Sequence, residues 1–145
     1  MKSILFAVRV SDLERSLAFY NKVGYVSLGK VPFDDGSSLV WLRLPDEDSV
    51  SLELVHRPAD GPIAAGGFEH FAIEVASLGE TVDRLTAEGL QPGPTELPGG
   101  PDGPKICWLV DPDGYRIELV EWPPGGPPTL GQVRTRRRRP RGSAR

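Results

Sequence analysis

His70-Phe71-Ala72-Ile73-Glu74-Val75 is a stretch this chain writes twice. Shifted by 65 positions it falls on Leu5-Phe6-Ala7-Val8-Arg9-Val10. The same shift lays Gly24 on Gly89, and Ser51-Leu52-Glu53-Leu54-Val55 on Arg116-Ile117-Glu118-Leu119-Val120. Three echoes at one offset, each in a segment that reads as the same kind of element, imply a duplicated structural unit. Two copies of one module, facing each other, are therefore expected.

Strand alternation then assigns faces. Phe71, Ile73 and Val75 share one side, and His70, Ala72 and Glu74 the other. Leu52 and Leu54 oppose Glu53, just as Ile117 and Leu119 oppose Glu118. Each strand thus has one apolar face and one face carrying a candidate metal ligand. A pseudo-twofold axis would pair position 5 with 70 and position 53 with 118, so four side chains could meet at one point. Three of them are His70, Glu53 and Glu118; the fourth is Leu5.

The segments between these strands complete each module. Residues 4–10 alternate as a strand, Asp12 sits as an N-cap, and Leu13, Leu17 and Tyr20 follow at helical spacing up to Gly24. Residues 25–31, 38–44 and 50–55 read as strands separated by Asp34-Asp35-Gly36-Ser37 and Pro45-Asp46-Glu47-Asp48, which makes the first module βαβββ. A Gly-, Pro- and Ala-rich linker spans 56–68. In the second module, strand 70–75 leads to the capping box of Ser77 and Glu80, and Leu78, Val82 and Leu85 stripe a helix ending at Gly89. Residues 91–104 hold five prolines and four glycines, so a strand there must be short. Strands 105–110 and 115–121 flank the turn Asp111-Pro112-Asp113-Gly114.

The domain boundaries follow: one domain over residues 1–122, made of module one (1–55), the linker and module two (69–122). The remainder, 123–145, is a Pro/Gly-rich and then Arg-rich tail, expected to be disordered. Of the 17 basic residues seven lie after Trp122, and none of the 20 acidic ones does. Ten basic residues then face twenty acidic ones in the body, which has no reason to seek nucleic acid; only the tail offers a weak contact of that kind. No apolar run approaches the roughly 18–20 residues that span a bilayer, and the N-terminus is unlike a signal peptide, so a cytoplasmic protein is expected. The lone Cys107 excludes an intrachain disulfide and reads as a small buried hydrophobe.

With the duplication, the Asp12-Leu13-Glu14-Arg15-Ser16-Leu17-Ala18-Phe19-Tyr20 helix, the His70–Val75 strand and the hairpin from Asp111 to Glu121 in hand, the chain resembles the vicinal oxygen chelate superfamily. Its members include glyoxalase I, extradiol dioxygenases, fosfomycin-resistance transferases and bleomycin-binding proteins, and the chain looks most like small bacterial glyoxalase I. The resemblance covers residues 1–122. It implies an α+β fold of two tandem βαβββ modules whose curled mixed sheets form a cup, with a metal at its base. It assigns metal ligation to Glu53, His70 and Glu118, in agreement with the register, and implies a His at position 5, where this chain has Leu5.

One imidazole and two carboxylates suit a divalent Zn, Ni, Mn, Co or Fe(II) ion. The activity implied is a metal-dependent lyase or isomerase acting on a small substrate with vicinal oxygens through an enediolate, with Glu118 first and Glu53 second as the proton acceptor. Arg9, on the cup face, is a candidate for a substrate carboxylate, and Lys105 and Trp41 are candidates for the cup wall. Against this stands a structural alternative: Glu53 and Glu118 paired with Arg9 and Arg116, Arg9 bridged to Glu74, and His70 hydrogen-bonded in the core. His56, three residues after Glu53, belongs to the opposite strand face. The other functional classes are a metal-free cup that sequesters a small molecule such as an antibiotic, and an extradiol-type dioxygenase. A homodimer is expected from the resemblance and from sheet edges that a second copy could cover.

Overall fold

The repeat seen in the sequence is a repeat of hydrogen-bonding register. In a computed structural model of the chain, which describes residues 4–63 and 68–127, β1 (Phe6–Val10) lies parallel to β4 (Leu52–His56), and β5 (Phe71–Glu74) parallel to β7 (Arg116–Glu121). Phe6 pairs with Leu52 and Ala7 with Glu53; Phe71 pairs with Ile117 and Ala72 with Glu118. The 65-residue shift relates these pairs one for one. With β2 (Val26–Pro32) and β3 (Ser38–Arg43), the first module forms a sheet of order β1-β4-β3-β2. The second, with β6 (Lys105–Val110), forms β5-β7-β6. The fold is α+β, in two modules with open sheets, as expected.

The second sheet is one strand short, and prolines explain it. Where β2 stands in the first module, residues 91–104 offer only a bridge between Glu96 and Ile106 and a bond from Gly93 N to Trp108 O at 2.8 Å. A proline has no N–H to give to a ladder, so an edge this rich in proline makes isolated bonds.

Each module's first strand turns into a capped helix. Asp12 Oδ1 accepts the amide of Arg15 at 3.0 Å to open α1 (Leu13–Val23), and Ser77 Oγ accepts that of Glu80 at 3.3 Å to open α2 (Leu78–Ala87). Gly24 (φ 127°) and Gly89 (φ 83°) end them in a backbone region closed to most side chains. Leu13, Phe19, Tyr20 and Val23 are buried, with Leu17 at the margin of the stripe; Leu78 and Leu85 are buried in α2, with Val82 at its margin. Leu52, Leu54, Ile117 and Leu119 join them in a single core, where Phe6 meets Phe71 at 4.6 Å between ring centroids.

A polar clasp joins the modules, and the sequence reading saw only half of it. Asp111 accepts the amides of Asp113 (2.9 Å) and Tyr115 (2.8 Å) through Oδ1, which holds the β6–β7 turn. Its other oxygen, Oδ2, accepts the hydroxyl of Tyr20 in α1 at 2.9 Å, with both residues buried. Asp113 accepts the amide of Ser11 at 3.1 Å, and Arg84 of α2 donates to the last carbonyls of α1, Lys22 at 2.8 Å and Val23 at 3.0 Å. The modules are thus fastened through α1. The Arg-rich tail expected to be disordered falls, from residue 128 on, outside the described residues.

Candidate functional site

His70 immediately precedes β5, and Glu118 sits in the middle of β7, on the face turned away from Ile117 and Leu119. The parallel pairing of Ala72 with Glu118 brings the two side chains together, His70 Nε2 standing 3.4 Å from Glu118 Oε2. Two ligands bound to one first-row ion at about 2.0–2.2 Å stand roughly 3–3.5 Å apart, so this pair has the spacing of half a coordination sphere. Glu53 occupies the equivalent place in the first sheet. There, Trp41 in β3 pairs with it across the ladder and donates Nε1–H to Glu53 Oε2 at 2.7 Å.

Within one chain the three expected ligands do not gather. Among the described residues no three His, Cys, Asp or Glu side chains stand close enough to share an ion. The core gives the physical reason. Leu52 and Leu54 of one sheet and Ile117 and Leu119 of the other are buried in one common cluster with both helices. The glutamates, on the reverse faces, therefore look away from that cluster on their separate sheets. A cleft of about 480 Å³ does lie between the modules, walled by Phe6, Tyr25, Leu44 and Ile73 among others, but Glu53, His70 and Glu118 are not in its lining.

The structural alternative is also not what the side chains do. Arg9 donates to the carbonyl of Gly61 at 3.2 Å rather than to Glu53 or Glu74. Arg116 donates to Glu69 at 2.7 Å and lies over the ring of Trp108, 4.0 Å from its centroid, rather than beside Glu118. Lys105 is paired with Glu121 at 2.7 Å. His56 lies on the opposite face from Glu53, paired in register with Val10 and Ser38, as alternation required. Two buried side-chain nitrogens have no hydrogen-bond partner among the described residues: Arg9 Nε and His70 Nδ1. Both belong to the glutamate-bearing faces. A buried orphan donor or acceptor costs free energy unless a partner supplies its bond.

Trp108 is the site residue the sequence reading missed. It pairs with Glu118 as Trp41 pairs with Glu53, and its ring meets the His70 imidazole edge-on at 5.0 Å. The signal was present but off register. Trp108 stands two places beyond the 65-residue echo of Trp41 because it pairs with a glutamate 10 positions on, where Trp41 pairs with one 12 positions on.

The lactoylglutathione lyase of Neisseria meningitidis serogroup A is 31% identical over 128 residues, covering 83% of this chain and 91% of that protein. An Arabidopsis thaliana lactoylglutathione lyase is 33% identical over 121 residues, and here the chain spans only 41% of the longer protein. The chain likewise spans less than half of two further plant relatives. The solved glyoxalase I of Leishmania major superposes with a TM-score of 0.67 at 29% identity, covering 83% of this chain and 86% of that one. The profile of one superfamily runs through both modules, from residue 4 to residue 119, and the chain belongs to it: the glyoxalase/bleomycin resistance protein/dioxygenase superfamily.

Proposed function

We propose that the chain is a glyoxalase-type lyase or isomerase whose complete site forms between two copies, Glu53 of one facing His70 and Glu118 of the other. The observation that carries this reading is the 3.4 Å spacing of His70 Nε2 and Glu118 Oε2 on a sheet face turned away from the core, with Glu53 at the equivalent place on the other sheet. The relatives at 31–33% identity are lactoylglutathione lyases, which supports a small substrate with adjacent oxygens.

Glu53, His70 and Glu118 would hold a divalent ion, and Leu5 contributes no donor. When bound, the ion supplies Lewis-acid charge compensation at the two neighbouring oxygens of the substrate. The chain's own groups do the rest. Glu118 takes the proton beside the carbonyl and returns it one carbon away, since its carboxylate is not engaged by a tryptophan N–H as that of Glu53 is. Arg9 presents a planar fork suited to a substrate carboxylate. Trp41, 39% exposed, and Trp108 line the two halves with aromatic surface.

Elemental analysis of protein purified without chelator, combined with sedimentation and an assay on the thiohemiacetal of methylglyoxal and glutathione, tests the proposal. A dimer with about one ion per Glu53–His70–Glu118 set, and turnover to the thioester, is expected. A metal-free protein without turnover that still binds planar small molecules would favour the second reading, a sequestering cup. Leu5 and the exposed Trp41 are the features that speak for it.

A further inference from the structure

The two halves treat their glutamates alike with different chemistry. In the second module the residue just before β5 is His70, and its Nε2 stands 3.4 Å from Glu118 Oε2. In the first module the equivalent residue is Leu5, which has no polar atom, and the nitrogen beside the glutamate comes from the neighbouring strand: Trp41 Nε1, 2.7 Å from Glu53 Oε2. Its counterpart Trp108 makes no such bond. Arg116 covers its face and His70 meets its edge. The position of Arg116 is taken in the first module by Ser51, whose hydroxyl turns to Glu47, so no guanidinium lies over Trp41.

We infer that Trp41 is a positioning residue that stands in for the imidazole missing at position 5: its indole N–H holds Oε2 of Glu53 and leaves Oε1 as the oxygen presented to the site. An indole N–H is a donor only and cannot ligate an ion. The first half would therefore bring one ligand atom to an ion, where an imidazole at position 5 would bring a second. Partners that orient a ligand commonly set metal affinity by about 10–100-fold. The inference rests on the proposed metal site.

Titration of the full chain with Co²⁺ alone, followed by its absorption, is the test, run beside ¹H–¹⁵N spectra of the indole N–H groups. Trp41→Phe is expected to bind the same number of ions about tenfold more weakly or worse. Trp122→Phe, beyond the end of β7 and without a bond to either glutamate, should match the parent. In a Leu5→His background the Trp41→Phe substitution should cost no more than about threefold, because the new imidazole takes over beside Glu53. In the spectra, Glu53→Gln should shift the Trp41 indole resonance and leave that of Trp122 in place. Equal Co²⁺ affinity in Trp41→Phe, an undiminished loss in the Leu5→His background, or an unmoved Trp41 resonance would each overturn the inference. A parent protein that takes up no Co²⁺ while Glu53→Gln still moves the Trp41 resonance would remove the metal reading and leave Trp41 as the group that fixes Glu53.

Discussion

Glu118→Gln is expected to lower turnover by about 10²–10⁴-fold, the usual loss when a general base is removed, while leaving the folded chain as stable as the parent. The substitution keeps the size and shape of the side chain, and an amide oxygen can still accept from His70. What it loses is the capacity to take a proton and the charge it would bring to the ion, so turnover is compared at equal metal content. Glu118 is part-exposed on the outer face of β7, so no core packing changes, and surface substitutions of this kind shift stability by only about 0.5 kcal/mol. Single-turnover kinetics beside a urea melt separate the two quantities. Glu53→Gln should instead act first on metal content, because Trp41 already engages one of its oxygens. If Glu118→Gln kept more than a tenth of the parent turnover with its metal in place, the role of proton acceptor would pass to another group.

Asp111→Ala is expected to be the most destabilising single change outside the apolar core, at about 3 kcal/mol or more. It strands three donors at once: the amides of Asp113 and Tyr115 and the hydroxyl of Tyr20. The Tyr20 hydroxyl is buried and the two amides are part-buried; a buried donor left without an acceptor costs about 1–3 kcal/mol, and a part-buried one less. Tyr20→Phe removes only one partner and should cost less. Chemical denaturation of both variants gives the comparison, and near-equal costs would show that the turn amides find other acceptors.

The same carboxylate gives stability a pH signature. Burial, the largest cause, pushes Asp111 above the ordinary value of 3.8, while its bonds from Tyr115, Tyr20 and Asp113 pull the other way. The folded state then holds this proton more tightly than the unfolded chain does. Its contribution is full below the ordinary value and is lost as pH rises through the raised one. Tyr20, itself raised by burial, stays protonated as the donor throughout. The stability of the parent relative to Asp111→Asn should therefore fall across that acid window and stay level above it.

Period-two alternation and one constant offset were enough, from sequence alone, to place Glu53 and Glu118 opposite the leucines and isoleucines of the core and to set the helices and their caps. Those features are local, since each depends on residues a few positions apart and on backbone geometry that any copy of the module shares. Which faces meet was not local. Whether the modules close over their glutamates or over their helices depends on contacts such as Tyr20 with Asp111 and Arg84 with the end of α1, made between residues 91 and 62 positions apart. The packing chose the helices, because all the apolar faces could then share one core. That choice separates Glu53 from His70 and Glu118 within a chain. Trp108 escaped a reading tied to the repeat for another reason: the ladder matches it to Glu118 across 10 positions, where Trp41 and Glu53 are 12 apart, and that difference hides the match from any fixed spacing.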